Sequence, residues 1–362
     1  MRIAIFGLSI TSSWGNGHAT TYRALVRALA ARGHDVVFFE RDAPWYADNR
    51  DLPEPPYCRT VIYRSVTQLR DLAASDLRES DLAIVGSYVP DGIEVGDFVQ
   101  GRARALTAFY DIDTPVTLAK VAAGRIDYLA ARQIPRYDIY LSFTGGPTLD
   151  LLQSTYGSPM ARPLYCSVDP ELYFPEDAPV QWDLGYLGTY SVDRQPVLNR
   201  LMLRAASQWR VGRFVVAGPQ YPDSIEWPRN VERVMHLAPA DHRAFYNATR
   251  FTLNVTRADM VKAGYSPSVR LFEAAACATP IISDAWAGLD RLFTPAAEIL
   301  ISTNARDTLA YLRDLGDDDR RAIGERARQR VLGAHTSRHR AIELETYAAE
   351  AGVTTTEKAA AS

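Results

Sequence analysis

"MRIAIFGLSITSSWGNGHATTYRALVRALAARGHDVVFFE", residues 1–40, decides the fold. Arg2 to Phe6 reads as a buried strand that ends at Gly7. From Ala19 to Arg32 the apolar positions Tyr22, Leu25, Val26 and Leu29 fall at i, i+3, i+4 and i+7, the spacing of one helix face. Gly33 stands where helices commonly end. "DVVFFE", 35–40, is then a second strand. Strand, glycine loop, helix, strand is the opening of a parallel α/β sheet.

Working outward, the alternation continues. "DLAIVGS" (81–87), "ARALTAFYDI" (103–112), "YDIYLSF" (137–143) and "ARPLYC" (161–166) read as strands. "TGGPTLDLLQSTYG", 144–157, reads as a glycine turn feeding a short helix. A proline-rich stretch, 168–182, reads as an interdomain linker. A second series follows: strands at 183–189, 213–219, 251–256, 280–284 and 296–301, with helices in "QPVLNRLMLRAASQW" and "SPSVRLFEAAACAT". Residues 317–350 are helical and arginine-rich with interspersed acids, a solvated face, and "TTTEKAAAS" reads as a disordered tail.

Composition narrows the function classes. The 362 residues suffice for two domains, and 47% apolar content lets each bury a core. A formal net charge of −3 gives no basic field for nucleic acid. Cys58, Cys166 and Cys277 are widely spaced, which argues against a disulfide framework or a zinc site. The N-terminal run is a strand and not a signal peptide, and no segment reaches the length of a membrane span. A cytoplasmic chain is therefore expected, and the sequon Asn254-Val255-Thr256 is discounted.

Chemistry concentrates in "KAGYSPSVRLFEAAACATPIISD", 262–284. Ser266 is a suitable N-cap and Pro267 suits the first helical position. The helix start then offers free N–H groups and a positive dipole end to an anion. Arg270 falls in the first turn and Glu273 one turn further on the same face. A cation at a helix start suits a diphosphate, and a carboxylate suits paired ribose hydroxyls. The plainer alternative is an Arg270–Glu273 surface pair.

"GYSPSVRLFEAAACATPIISD" resembles the C-terminal signature of glycosyltransferases of the two-Rossmann-domain (GT-B) fold, particularly the CgeB-like group of the retaining family-4-like superfamily. "SWGNGHATTYRALVRALAARGH" (13–34), "FYDIDTPVTL" (109–118), "LSFTGGP" (141–147), "RPLYCSVDPELYFP" (162–175) and "DLGYLGTYSVDRQP" (183–196) resemble the same group in the same order. The resemblance implies two Rossmann-like domains facing a cleft: residues 1–166 for the acceptor and 167–335 for a nucleotide-diphosphate sugar. It further implies a C-terminal helix, 336–352, that crosses back to the first domain, ahead of the tail at 353–362.

For the donor, the resemblance implies that Glu273 holds the ribose hydroxyls and that Arg257 and Lys262 neutralise the phosphates. Gly188, with Gly185, would let backbone approach the nucleotide, and Gly17, Tyr265, Ser266, Ser268 and Arg270 are the further donor-binding residues expected. The superfamily carries a second glutamate seven or eight residues before Glu273, where this chain has Tyr265 and Ser266. In the first domain, Gly15 and Gly17 would give the loop a tight path to the donor, and His18 would point into the cleft. His18 could accept a proton from an acceptor hydroxyl, hydrogen-bond the transferred sugar, or simply pack the helix start. Asp111 and Asp113 are candidate base or sugar ligands, or turn formers. His34 reads as structural, and the remaining histidines stand in no motif.

The expected activity is glycosyl transfer from a nucleotide-diphosphate sugar to a hydroxyl of a glycan, protein or small molecule, metal-independent, retaining by resemblance only, in a monomer or homodimer. The "DID" at 111–113 has the spelling of a metal site but belongs to the first domain. Three rivals stand beside this reading. A sugar-nucleotide epimerase would share the architecture, and a non-catalytic glycan-binding module would show no turnover. A nicotinamide dehydrogenase would use Gly15-x-Gly17 with Glu40 on the ribose, but Thr20 replaces its third glycine and the turn lies far beyond Gly7.

Overall fold

A computed structural model describes residues 1–14, 17–125 and 127–361, without the side chains after Val353. It divides into two compact units, Met1–Cys166 with Ser337–Ser362, and Ser167–Thr336.

The first unit is a seven-stranded sheet: β1 (Arg2–Gly7), β2 (Asp35–Arg41), β3 (Arg59–Tyr63), β4 (Leu82–Gly86), β5 (Leu106–Asp111), β6 (Ile139–Ser142) and β7 (Ala161–Pro163). All pairings are parallel, in the order β3-β2-β1-β4-β5-β6-β7. Helices cover both faces of a parallel sheet, so its inner strands are apolar throughout, as in Ile3–Phe6 and Leu82–Val85. Phe6 stacks on Phe39 at 4.8 Å within the core. The first helix spans His18–Ala31, one residue earlier at each end than the periodicity predicts.

The final helix, Ser337–Ala361, belongs to this unit and continues through the stretch expected as a disordered tail. Glu345 accepts from Arg32 Nε and Nη2, each at 2.6 Å, and lies 2.6 Å from His34 Nε2. Arg32, ahead of His34, holds the Glu345 carboxyl down at about 2. His34 Nδ1 lies 3.0 Å from the terminal amine of Met1, so its place is structural.

The second unit holds β8 (Leu184–Leu187), β9 (Phe214–Ala217), β10 (Val231–Val234), β11 (Thr252–Asn254), β12 (Ile281–Ser283) and β13 (Leu300–Ile301). They form one parallel sheet ordered β10-β9-β8-β11-β12-β13. The stretch 168–182 is no free linker. Val168 bridges to Thr336, Tyr173 is buried, and Trp182 bridges to Thr249, all within this unit. The helix from Gln195 to Gln208 carries a π-turn at Asn199–Leu203. Of "ARPLYC" and "AAEILI", only Ala161–Pro163 and Leu300–Ile301 join a sheet. Cys58, Cys166 and Cys277 form no disulfide. Among the described residues no helix is long and apolar enough to cross a membrane, and no group of three or more His, Cys, Asp or Glu could hold a metal ion.

Candidate functional site

An open parallel sheet binds ligands outside the carboxyl ends of its strands, at the point where the strand order reverses. In the second unit the order reverses between β8 and β11, and in the first between β1 and β4.

Arg270 spans the reversal in the second unit. Its Nε donates to the Leu187 carbonyl at the end of β8, at 2.6 Å, and its Nη1 donates to Asn254 Oδ1 at the end of β11, at 2.9 Å. The guanidinium lies 4.9 Å from the Tyr186 ring centroid. Ser268 Oγ donates to the same Asn254 oxygen at 2.8 Å, while Asn254 Nδ2 donates to Thr256 and Ser283. Asp284 accepts from Thr256 N and Oγ1, and burial raises its carboxyl. Asn254 is fully buried, which removes its sequon from the surface. Gly188 stands against this network. A Cβ there would meet Arg270 Nη2 and Tyr186 Oη at 2.8 Å, so a larger residue would have to displace both side chains.

Three expectations for this segment change. The helix is Val269–Ala276, with Ser268 and not Ser266 in the extended N-cap position. The positive φ of Gly264 (68°) and Tyr265 (49°), with Tyr265 N donating to Ala287, carries the turn two residues further than Ser-Pro suggests. Ser266 is buried with Oγ facing Met260 Sδ at 3.0 Å, and Ser268 turns toward Asn254 and makes no cap hydrogen bond.

Arg270 and Glu273 are also not a surface pair: both are buried and their partners differ. Glu273, 3% exposed, accepts from Tyr246 Oη at 3.0 Å and lies 3.7 Å from His242 Nδ1. Burial alone would raise its carboxyl. His242, Tyr173 and Tyr246 outweigh burial and hold it below the usual range. The carboxylate expected at a ribose therefore faces the interior of its own unit.

The expected phosphate cations divide. Arg257 precedes the helix Ala258–Ala263 and stands 3.9 Å from Asp193. Lys262 is exposed on the last turn of that helix.

In the first unit, His18 opens the first helix beyond β1, and Tyr88 stands just beyond β4. Their rings meet edge to face across the reversal, 5.2 Å between centroids and 83° between planes. His18 is half-buried, its Nδ1 is enclosed without a hydrogen-bond partner, and burial lowers its pKa to about 4. Gly17 is its N-cap in an ordinary right-handed conformation, and a Cβ there would meet nothing within 4 Å, so the expected tight path is not a property of Gly17. Gly15 lies outside the described residues.

Asp113 is the N-cap residue of the helix Thr114–Ala122 and accepts from Tyr88 Oη at 2.8 Å. Asp111, at the end of β5, is fully enclosed. It accepts from Tyr140 Oη at 2.5 Å, Thr117 Oγ1 at 2.8 Å and Asp113 N at 3.2 Å, and burial pushes its carboxyl up to about 6. That place corrects the catalytic expectation for Asp111, because no surface of the carboxylate is open to an acceptor hydroxyl.

Glu40 answers the dinucleotide reading. Fully buried, it accepts from Ile10 N at 2.6 Å, Thr11 N at 3.0 Å and Thr11 Oγ1 at 2.6 Å. Its oxygens hold the loop that leads to His18, where a dehydrogenase would present them to a ribose.

Residues 194–346 match the model of a family described as Glycosyl transferase-like. No curated protein matches the chain. Among solved structures, the chain is similar to sucrose-phosphate synthase from Thermosynechococcus elongatus, with 17% identity, 100% of both chains covered and a TM-score of 0.70. It is similar to the HepE protein of Anabaena in complex with UDP and glucose, with 12% identity, 97% of this chain and 100% of that one covered, and a TM-score of 0.69. An alpha-glucosyltransferase in complex with UDP and a DNA 13-mer shares 13% identity over 96% of this chain and 99% of its own, with a TM-score of 0.69. At these identities the likeness is one of fold: two parallel α/β sheets, as in GT-B glycosyltransferases.

Proposed function

We propose that this chain is a GT-B glycosyltransferase that takes its sugar from a nucleotide-diphosphate donor. The observation that carries the reading is Arg270 bridging β8 and β11 at the strand reversal, inside the segment that matches the Glycosyl transferase-like family. The start of the Val269–Ala276 helix offers backbone N–H groups there, and Lys262 with Arg257 supplies positive charge for a departing diphosphate. Two of the similar structures contain UDP, which makes uridine the first base to test.

On the acceptor side the half-buried His18 is the polar group whose Nδ1 has no partner. A neutral imidazole with a pKa of about 4 is a weak base at neutral pH. Accepting or donating a hydrogen bond to a sugar or acceptor hydroxyl fits it better than abstracting a proton. With cations at the diphosphate, transfer would be metal-independent: activity surviving excess chelator supports this, and loss restored by Mg²⁺ or Mn²⁺ refutes it. Retention rests on resemblance alone and is read from the anomeric proton of the product by NMR.

The deciding experiment is a thermal-shift panel of UDP-, GDP-, ADP- and dTDP-sugars on the wild type and Lys262→Ala. A donor at a hundred times its Kd adds about 2.7 kcal/mol, a shift of a few degrees. One nucleotide family should shift the wild type more than the variant. A shift by NAD(H) and by no nucleotide sugar overturns the reading.

A further inference from the structure

Tyr88 has no place in the roles set out so far, yet it carries three unusual features. Its backbone is left-handed, with φ at 64°, a conformation uncommon for a bulky aromatic residue. Its hydroxyl is tied to Asp113 Oδ2 at 2.8 Å, and burial, reinforced by Asp113, raises its pKa, so that it stays protonated and donates. Its ring packs on Tyr128 at 4.6 Å and presents itself to the edge of His18. Strained backbone at the carboxyl end of a strand, beside the strand reversal, is where sheets of this kind bind ligands. The enclosed, unpartnered Nδ1 of His18 is a second sign of a site completed by something absent from the chain.

We propose that Tyr88 is a positioning residue: held by Asp113, its ring fixes the His18 imidazole in one orientation and keeps water from it, so that His18 meets the sugar or acceptor hydroxyl as a neutral hydrogen-bonding group. This rests on the glycosyltransferase reading. The groups facing the pair are Tyr128, Asp113 and Lys120, whose ammonium lies 5.5 Å from the Tyr88 ring centroid and 5.7 Å from that of Tyr128. Asp113 is engaged by the Tyr88 hydroxyl.

The test is NMR titration of ¹³C-labelled histidines in the wild type, Tyr88→Phe and Tyr88→Gly, with the His18 signal assigned by its loss in His18→Asn. Glycine suits the left-handed φ, so Tyr88→Gly removes the ring without forcing the backbone. Wild type and Tyr88→Phe should keep His18 neutral far below the ordinary value of 6.5, while Tyr88→Gly should titrate close to it. With the donor identified, Tyr88→Gly should lower kcat by about tenfold or more with the donor KM unchanged. A folded Tyr88→Gly whose His18 titrates as in the wild type overturns the proposal. So does a lower Tm with kcat, KM and the titration all unmoved. The titration needs no substrate. If no nucleotide sugar is turned over while the titration moves as described, the glycosyltransferase reading falls and the control of His18 by Tyr88 stands.

Discussion

Replacing Arg270 tests the bridge across the strand reversal. Its side chain makes two hydrogen bonds, to Leu187 O at 2.6 Å and Asn254 Oδ1 at 2.9 Å, and lies over the Tyr186 ring. Hydrogen bonds from a charged donor contribute about 1.5–3 kcal/mol each. The cation–π contact adds about 0.5–1 kcal/mol. Asn254 Oδ1 keeps Ser268 as a donor after the change, so its end of the bridge falls at the low edge of that range. Arg270→Ala should therefore destabilise the second unit by about 3.5–5.5 kcal/mol. Arg270→Lys, which keeps the charge but reaches one acceptor, should lose about 1.5–3 kcal/mol. A two-unit chain need not melt in one step, so amide hydrogen exchange read on peptides of β8 and β11 is the assay. The first-unit peptides serve as the internal control. A loss below about 1 kcal/mol in Arg270→Ala would refute the bridge, because a surface arginine behaves that way. In the surviving Arg270→Lys variant, the shift induced by a nucleotide sugar should shrink.

Three further outcomes follow from buried and paired carboxylates. Glu40→Ala leaves two backbone N–H groups and the Thr11 hydroxyl without their acceptor, so about 3–5 kcal/mol should be lost, with faster exchange confined first to the loop after β1. Global unfolding without that local phase would argue that Glu40 serves the core and not the loop. Asp111 has its pKa raised from 3.8 to about 6, so the folded state binds the extra proton between those values. Stability from this group is complete at low pH and falls by about 3 kcal/mol as pH rises through that window; the pH dependence of urea midpoints should flatten there in Asp111→Asn. Glu345 is the opposite case, lowered from 4.5 to about 2, so its contribution is present above the ordinary value and lost as pH falls through the lower one. Screening limits it to about 1 kcal/mol, measurable as earlier exchange of the final helix in Glu345→Gln at neutral pH and no difference in acid.

How far the sequence reveals such features depends on which forces act locally. β1, β4, β5 and β9 announce themselves because strands buried on both faces must be apolar throughout. β3 and β10 escape notice because each lies at a sheet edge, where one side of the ladder stays open. Their sequences, "RTVIY" and "VERV", accordingly mix charge with β-branched residues. The N-cap falls at Ser268, two residues beyond Ser266, because Ser-Pro is a local signal, while the turn at Gly264 and Tyr265 is fixed by a contact with Ala287. Glu273 was visible as a carboxylate, but its partners are not: His242 and Tyr246 lie about thirty positions earlier, on a separate short helix.

The two strand reversals are marked in the sequence by polar residues that end apolar runs. Within "FTLNVT" and "PIISD", Asn254, Thr256, Ser283 and Asp284 are the polar residues at the ends of otherwise apolar runs, and all four are buried. A polar side chain at the carboxyl end of a buried strand must find a partner inside the fold or leave its place to a ligand. In the second unit these residues find one another and Arg270. In the first unit the solution is different: Asp111 is sealed by Tyr140 and Thr117, and the group left incomplete is His18 Nδ1. The second unit thus holds its charged group in a finished network, while the first keeps an imidazole whose Nδ1 has no partner. On the proposed glycosyltransferase reading, that asymmetry matches a charged diphosphate in one unit and a neutral hydroxyl in the other, and the sharper test of substrate lies at His18.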